Sequence, residues 1–194
     1  RLCAGRVGQL FNASALANEV GVSYHTIEHW ISALEASYLI IRLQPYFENF
    51  NKRLVKTPKL YFTEVGLATY LLGIENAEQM QRDPLRGGLF ENLVIMELYK
   101  ARMHRGREAG LYFIRDHKGN EIDALLCRGR DLVCVEIKSA QTFHASMANK
   151  LDLFRRWAGE RVIESHVVYA GDQEQSFGVH QLLPYGHASR IAAK

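Results

Sequence analysis

The hydrophobic residues near the start of the chain repeat at the spacing of two short helices. One periodic segment covers residues 14–21 and ends in glycine, and a second runs from Ser23 to about Tyr38. Serine accepts hydrogen bonds from the free N–H groups at a helix start, and glycine readily takes the left-handed conformation that ends a helix. The pattern therefore predicts a helix-turn-helix, with Ser14 and Ser23 as N-caps and Gly21 closing the first helix.

Two strands and a further helix are predicted after the helix pair. Residues 39–43 and 59–62 are rich in apolar and aromatic side chains, and residues 64–72 return to helical spacing. A polar loop separates the two strands, so the segment has the organisation of a small winged-helix domain. The loop would be the wing, and it contains Asn49, Asn51, Lys52, Arg53 and Lys56.

The charges of the second helix decide between two functions for this domain. A DNA-binding function would place that helix in the major groove. It carries Glu28 and Glu35 and has no Arg or Lys along its length. Phosphate contact requires positive charge, which here comes from the wing, through Lys52, Arg53 and Lys56. The sequence therefore favours a winged helix that packs against a neighbouring domain.

The second part of the chain has the pattern of a larger domain. Residues 75–87 are polar and contain a proline, as linkers do, whereas residues 89–103 are apolar on nearly all sides of a predicted helix, as buried helices are. Strands over 111–115, 121–127 and 132–138, a helix over 145–158, and strands over 165–170 and 178–183 follow. The predicted organisation is a winged-helix domain over 1–74, a linker over 75–87 and a further domain over 88–194.

Composition narrows the classes of protein that remain. The net charge of +3 lies in the part of the chain after residue 84, an excess that permits a nucleic-acid partner without requiring one. No apolar run is long enough to cross a membrane and no signal peptide opens the chain. Three cysteines without metal-ligand spacing favour a reducing cytoplasm. Because the chain starts at Arg1 rather than Met, we expect it to be part of a longer protein.

One predicted hairpin, residues 121–138, carries the clearest candidate chemistry. Gly129 and Arg130 suit a two-residue turn, because glycine takes the positive φ that the first central position of a type II′ turn requires. In that register Asp123 lies directly opposite Glu136 on the same face of the sheet. A four-residue loop gives the same pairing, whereas a loop of odd length would put the two carboxylates on opposite faces.

Two opposed carboxylates favour a bound cation. Like charges opposite one another destabilise a sheet, and oxygen ligands at this spacing suit Mg²⁺ or Mn²⁺. Lys138 would project beside the metal, opposite Glu121, where it could orient a water or stabilise charge at phosphorus. The alternative is a surface strand pair in which Glu121–Lys138 and Glu136–Lys138 are unimportant salt bridges.

Glu91 is a further candidate because it lies on the predicted buried helix. A carboxylate among apolar neighbours is costly unless a partner pairs with it. If this helix packs over the hairpin, Glu91 could reach the metal or its waters. The alternative is an ion pair with an arginine such as Arg86 or Arg102.

The motif and the order of elements resemble those of a known superfamily. Glu91, Asp123 and Glu136-Ile137-Lys138 match the PD-(D/E)XK nucleases, with Ile122 in place of the usual proline. The resemblance implies an α/β fold, a restriction-endonuclease-like mixed sheet flanked by helices, here preceded by the small winged-helix domain. It also implies that Asp123, Glu136 and Glu91 hold the metal and that Lys138 assists catalysis.

Three longer segments resemble a more specific group of proteins. Residues 56–73, 88–92 and 119–123 are similar to the C-terminal half of prokaryotic AAA-type ATPases, a half catalogued as a domain of unknown function. This resemblance implies an ATPase module ahead of Arg1. The chain contains no GxxxxGK[ST] motif, so we expect no P-loop ATP site within it.

Two functions follow as hypotheses from the sequence. The first is a metal-dependent nuclease that hydrolyses DNA phosphodiesters. The second is a non-catalytic nucleic-acid-binding or regulatory module of the ATPase. The sequence leaves open whether the chain forms a homo-oligomer. Basic residues that could line a phosphate track, or simply form solvated ends of elements, are Arg105, Arg107, Arg128 and Arg130 in addition to the three of the wing.

Overall fold

The structure is a computed structural model that describes residues 1–48, 50 and 53–193. The chain divides into two compact units. Unit 1 comprises residues 1–43 and 57–92, and unit 2 comprises residues 44–56 and 93–194. The second contains a six-stranded mixed sheet with helices, which confirms the predicted α/β class.

Unit 1 is built from short helices and a two-stranded antiparallel sheet. A short 3-10 helix at Ala4–Arg6 precedes the longer elements. Its core contains apolar residues from the helices, both strands and Leu89. The elements are α1 (Ala13–Val20), α2 (Tyr24–Ala36), β1 (Ile40–Leu43), β2 (Lys59–Phe62), α3 (Val65–Leu72) and α4 (Ala77–Arg82).

Capping residues explain where the first two helices begin and end. Ser23 caps α2 through its side chain, and Gly21 follows α1 with a φ of 77°, both as predicted. The prediction that Ser14 caps α1 is wrong, because the helix begins one residue earlier and Asn12 accepts the hydrogen bond from the Ala15 N–H. The asparagine side chain offers the same carbonyl acceptor that a serine hydroxyl would supply.

The unit boundaries differ from the predicted domain boundaries at two places. Residues 75–87, predicted as a linker, contain α4, which starts at the capping residue Asn76 and belongs to unit 1. The loop predicted as a wing, residues 44–56, belongs to unit 2 although both flanking strands belong to unit 1. In residues 75–87 polar composition therefore marked solvent exposure and not the absence of a helix.

The helix α5 (Arg86–Met103) opens the second part of the chain. Residues 86–92 belong to unit 1 and residues 93–103 to unit 2. Its apolar side chains are largely buried, as predicted, and include Leu89, Val94, Ile95, Met96 and Leu98.

The sheet of unit 2 has the order β3-β4-β5-β6-β8-β7. Strands β3, β4 and β5 are antiparallel neighbours, β5–β6 and β6–β8 are parallel pairs, and β7 returns antiparallel to β8. The helix α6 (Asn149–Ala158) follows a 3-10 turn, packs on one face of the sheet and buries Leu151 and Phe154. The strands are β3 (Leu111–Arg115), β4 (Glu121–Arg128), β5 (Asp131–Lys138), β6 (Val162–Tyr169), β7 (Gln175–Phe177) and β8 (His180–Pro184), and α7 (Ser189–Ala193) ends the described chain.

Residues 44–46 and 53–55 lie along the outer edge of β3. Backbone bridges join Pro45 to Phe113 and Leu54 to Asp116, and the Val55 N–H donates to the Arg115 carbonyl at 2.8 Å. The backbone groups of an edge strand would otherwise stay unpaired and could bind another chain. This segment therefore protects an edge of the sheet.

Aromatic packing anchors the same segment. The ring of Tyr46 packs against Tyr112 with centroids 5.6 Å apart, and Phe50 packs against Phe154 of α6 at 5.5 Å. Arg161 donates to the Tyr46 hydroxyl at 3.0 Å and forms an ion pair with Glu48. The segment thus contributes to the core of unit 2 as well as to its edge.

None of the helices that the structure describes is both long enough and apolar enough to cross a membrane.

Candidate functional site

The hairpin β4–β5 adopts the predicted register. Ala124 pairs with Val135 and Arg128 with Asp131, as a two-residue turn at 129–130 requires. Gly129 has a φ of 63°, the positive value expected at the first central position of a type II′ turn. The same register continued by one residue brings Asp123 to Glu136.

A bulge in β4 lies at Asp123. The pairing of β3 with β4 shifts between Tyr112 and Ile114, opposite the stretch of β4 that contains Asp123. Bulges re-aim side chains and interrupt pairing. The Asp123 carboxylate is buried and accepts a hydrogen bond from the Ile137 N–H at 2.7 Å, which ties it to the strand that carries Glu136.

Glu136 is a fully buried carboxylate with its two oxygens in different situations. Lys138 donates to Oε1, and the Lys150 ammonium lies 3.3 Å from the same oxygen. The other oxygen, Oε2, is buried and has no hydrogen-bond partner among the residues that the structure describes. A buried oxygen without a partner is costly, and such an atom in a folded protein calls for an explanation such as an ion.

The protonation of Glu136 responds to this environment. Burial and the negative charge of Asp123 raise the pKa of Glu136 from its ordinary 4.5 to about 7, while Lys138 and Lys150 act in the opposite direction. Near neutral pH the two carboxylates therefore compete for compensating charge, which a divalent cation between them would supply.

The donor set fits a hard divalent cation. Asp123 and Glu136 contribute carboxylate oxygens from adjacent strands, and one oxygen of Glu136 is unbonded. A carboxylate oxygen of Glu121 lies within 4.8 Å of one of Asp123, and Glu121 also pairs with Arg115 at 3.0 Å. Carboxylate oxygens are ligands that hard divalent cations prefer.

Glu91 has partners within unit 1. Lys59 of β2, whose side chain is 3% exposed, lies 2.8 Å from the Glu91 carboxylate, and the Tyr61 hydroxyl donates to the same oxygen at 2.5 Å. Glu91 thus forms an ion pair, the alternative that the sequence left open, and one partner is Lys59 of the neighbouring strand. The predicted role of Glu91 as a metal ligand stays a prediction.

The predicted phosphate-contacting residues fall into different groups. The guanidinium of Arg128 donates hydrogen bonds within unit 2, to Glu164 at 2.8 Å and to the Ile191 carbonyl at 2.7 Å. These interactions compete with the phosphate contact that the sequence predicted for it. Lys52 lies outside the described residues. The remaining predicted residues have exposed side chains and are Arg53, Lys56, Arg105, Arg107 and Arg130.

Lys150 is the residue at this site that the sequence analysis missed. It lies in the first turn of α6 and lines the same small cavity as Asn120 and Glu121. Its contact with Glu136 depends on how α6 packs across the sheet, which no local motif reports. In the sequence, Lys150 is only a lysine beside the apolar residues of a predicted helix, which is weak evidence for a functional residue.

A second polar chain was also missed. The Ser165 hydroxyl lies 2.8 Å from His180 Nδ1, and His180 Nε2 lies 3.0 Å from the Asp152 carboxylate. A serine, a histidine and an aspartate joined by hydrogen bonds in this order suggest nucleophilic catalysis. However, Ser165 is 1% exposed and cannot contact a substrate. The chain of hydrogen bonds therefore joins β6, β8 and α6 structurally.

Two family models match the chain. One, described as a domain of unknown function (DUF8612), matches residues 1–78, and another, described as a domain of unknown function (DUF4143), matches residues 86–187. Two relatives, Uncharacterized protein Mb2031c of Mycobacterium bovis and Uncharacterized protein Rv2008c of Mycobacterium tuberculosis, are each 34% identical over 91 residues. Those residues are 47% of this chain and 21% of each relative, so the match covers about a fifth of the relatives' length.

Proposed function

The chain belongs to the DUF4143 family, and from the chemistry of its site we propose that unit 2 is a metal-dependent nuclease domain that hydrolyses DNA phosphodiesters. The observation that carries this proposal is Glu136, a fully buried carboxylate beside Asp123 with one unbonded oxygen. A purely structural ion pair would have no need for a second buried carboxylate at the same point.

The order of elements supports a restriction-endonuclease-like fold. Helix α5 precedes three antiparallel strands, and helix α6 precedes the parallel strand β6, as the resemblance to PD-(D/E)XK nucleases implies. The α1–α2 pair followed by the β1–β2 hairpin likewise supports a winged helix. DUF4143 is known from AAA-ATPase-associated contexts, which fits the proposed ATPase module in the longer protein.

The residues of the site have distinct proposed roles. Asp123 and Glu136 hold Mg²⁺ or Mn²⁺ through their carboxylate oxygens. The bound cation supplies charge stabilisation at phosphorus and a more acidic water for the attack. Lys138 stands beside Glu136 and, with its side chain 32% exposed, is able to orient that water or to stabilise charge on the phosphate.

One assay tests the proposal. Supercoiled, linear and branched DNA are incubated with the protein in Mg²⁺, in Mn²⁺ and without metal. Lys138→Ala should lower cleavage by roughly 100-fold or more, because it removes a cation from the reacting phosphate. The matched control is Lys118→Ala, which removes an exposed lysine from the β3–β4 turn and should leave cleavage unchanged. Equal loss in both variants, or cleavage without metal, would contradict the proposal.

A non-catalytic module is the second candidate, and the charge of unit 1 favours it. Arg42 of β1 is paired with both Glu28 and Glu35 of α2, at 2.8 Å and 2.7 Å. Helix α2 has no Arg or Lys, and the neighbouring Arg42 is held by the two glutamates of the helix, so neither offers DNA a free positive charge. In that case the protein would bind metal or DNA, or regulate the ATPase, without cleaving any of the DNA forms in the assay.

A further inference from the structure

Lys150 makes an unusual contact for a lysine that has access to solvent. Its side chain is 43% exposed, yet its ammonium lies 3.3 Å from Oε1 of the fully buried Glu136. Holding a long side chain in one position costs conformational entropy, and the water around the half-exposed ammonium of Lys150 screens its attraction to the carboxylate. The contact therefore contributes little stability by itself.

The contact is also redundant. Lys138 donates to the same oxygen of Glu136, so two ammonium groups share one oxygen while Oε2 has no partner among the described residues. The second ammonium thus meets an oxygen that already has a partner, although Oε2 of the same carboxylate has none among the described residues. The second lysine comes from a different element, α6, and lies beside Asn120 and Glu121 near the start of β4.

A divalent cation on Glu136 would change the position that Lys150 prefers. Like charges a few ångströms apart repel each other, and the low dielectric constant near a buried carboxylate strengthens this repulsion. Lys138 is fixed to the strand next to Glu136, whereas Lys150 has a flexible side chain with a path to solvent. Lys150 is thus the group that would leave the carboxylate, and an anionic ligand of the cation would offer it a new partner of opposite charge.

We propose that Lys150 is a phosphate-binding residue that Glu136 holds in the metal-free protein and releases to the phosphate of the nucleic acid when a divalent cation occupies the site. This inference rests on the proposed function and adds Lys150, from α6, to Lys138 as a residue that would contact the phosphodiester. Its role is to bind the substrate, because no proton or bond transfer is required of it.

The proposal predicts two opposite effects for Lys150→Gln. The variant should bind Mg²⁺ about two- to fivefold more tightly, because a competitor for Glu136 is gone. With Ca²⁺ present, it should bind a short deoxyoligonucleotide at least about tenfold more weakly, because a charged hydrogen bond to phosphate is lost. Metal binding is measured by calorimetry and by the shift in melting temperature, and oligonucleotide binding by fluorescence anisotropy.

Two further variants make the test specific. Arg156→Gln removes an exposed cation from the same helix and should leave both affinities near the wild-type values. Lys150→Arg keeps the charge and should retain oligonucleotide binding. A Lys150→Gln variant with unchanged metal affinity, or one that fails to fold, would make Lys150 a structural ion-pair partner and overturn the inference.

The outcome also separates this inference from the proposed function. Wild-type protein that binds no Mg²⁺ would overturn both. Wild-type protein that binds Mg²⁺ and cleaves no DNA, with Lys150→Gln showing both predicted effects, would overturn the hydrolytic function and leave Lys150 as a phosphate-binding residue. Cleavage by the wild type with Lys150→Gln unchanged in every measurement would overturn the inference alone.

Discussion

The buried carboxylate of Glu136 makes the stability of the folded chain depend on pH. Its carboxylate is buried, lies beside Asp123 and has an unbonded oxygen, so its ionised form is disfavoured in the folded chain. The unfolded chain exposes the same group to water, where its pKa is ordinary. The difference between the two states makes the free energy of unfolding depend on pH.

We expect the metal-free protein to lose stability as the pH rises from about 4.5 to about 7. Between these values the folded state holds a proton on Glu136 that the unfolded state has released, so the free energy of unfolding falls with pH. The loss is at most about 3 kcal/mol for this shift. Urea titrations of the wild type and Glu136→Gln should differ in this pH window and converge below it. Parallel profiles for the two proteins would contradict the expectation.

Asp123 gives the corresponding prediction for metal. Mg²⁺ or Mn²⁺ should raise the melting temperature of the wild type, because a ligand bound by the folded state alone stabilises it by mass action. The rise should vanish in Asp123→Asn, which removes the ligand charge with almost no change of shape. Asp131→Asn, an exposed residue at the turn end of the same hairpin, is the control and should keep the full rise. An equal rise in Asp123→Asn would place the ion elsewhere.

The sequence was enough to predict that Asp123 lies near Glu136, because a local turn determines the register of the hairpin. The turn at Gly129 sets the register of the hairpin, and the register sets which residue meets Glu136. The bulge at Asp123 and the approach of Lys150 depend instead on packing against β3 and α6, which are distant in sequence. Local patterns contain no information about such contacts.

Among the elements, the junction of β2 with the start of α5 is held by polar side chains. Asn92 donates to and accepts from the backbone of Phe62 at 2.8 Å and 2.7 Å, and Lys59 pairs with Glu91. Removing one partner of a buried ion pair is costly because the other charge remains uncompensated. The elements of unit 1 therefore depend on Glu91 whatever its role in metal binding.

Glu91→Gln should lower the free energy of unfolding by about 3–5 kcal/mol, because the ammonium of Lys59 stays buried without its counter-charge. The double variant Lys59→Met/Glu91→Gln should recover most of this loss, since the charge is gone and the amide still accepts from Tyr61. Denaturant titration measures both. A double variant as unstable as the single one would contradict the ion-pair explanation.

The same double variant tests the metal role predicted for Glu91. A Mg²⁺-induced rise in melting temperature equal to that of the wild type would exclude Glu91 from the metal ligands. A lost or smaller rise in a variant of recovered stability would support it.

The elements that the sequence missed are short. Helix α4, strand β7 and helix α7 have six, three and five residues. Hydrophobic periodicity needs more than one or two turns to become visible, and β7 is exposed along its whole length. Strands with several buried apolar residues, such as β2 over Lys59–Phe62 and β3 over Leu111–Arg115, were predicted with the bounds that the structure has, although they are no longer than α4.

For the whole molecule, the main consequence is that the two units are nested in the chain. Residues 44–56 of unit 2 lie between β1 and β2 of unit 1. The two family models divide the chain after residue 78 and before residue 86, so the second model leaves out this part of unit 2. Sequence composition could not reveal the nesting, because it depends on hydrogen bonds between the loop and β3.

A fragment of residues 86–194 should therefore be less stable than unit 2 in the full chain and should aggregate. It lacks the backbone partners of β3 and the aromatic contacts of Tyr46 and Phe50. A synthetic peptide of residues 44–56 should bind the fragment and reduce its aggregation, as measured by light scattering, whereas the same peptide with alanine at 46 and 50 should not. A fragment that stays monomeric and as stable as unit 2 in the full chain would contradict this expectation.

The packing of residues 44–46 and 53–55 along β3 also has a consequence for the order of events during protein synthesis. Residues 44–56 leave the ribosome well before β3, which begins at Leu111, has been made. At roughly 5–20 residues per second the delay lasts a few seconds. Throughout that time Tyr46 and Phe50 have no ring partners in β3 or α6, although both strands that flank them, β1 and β2, have already been synthesised. We expect the nascent chain to present these two rings during translation as a short-lived site for a chaperone, whereas in the finished protein both rings are packed.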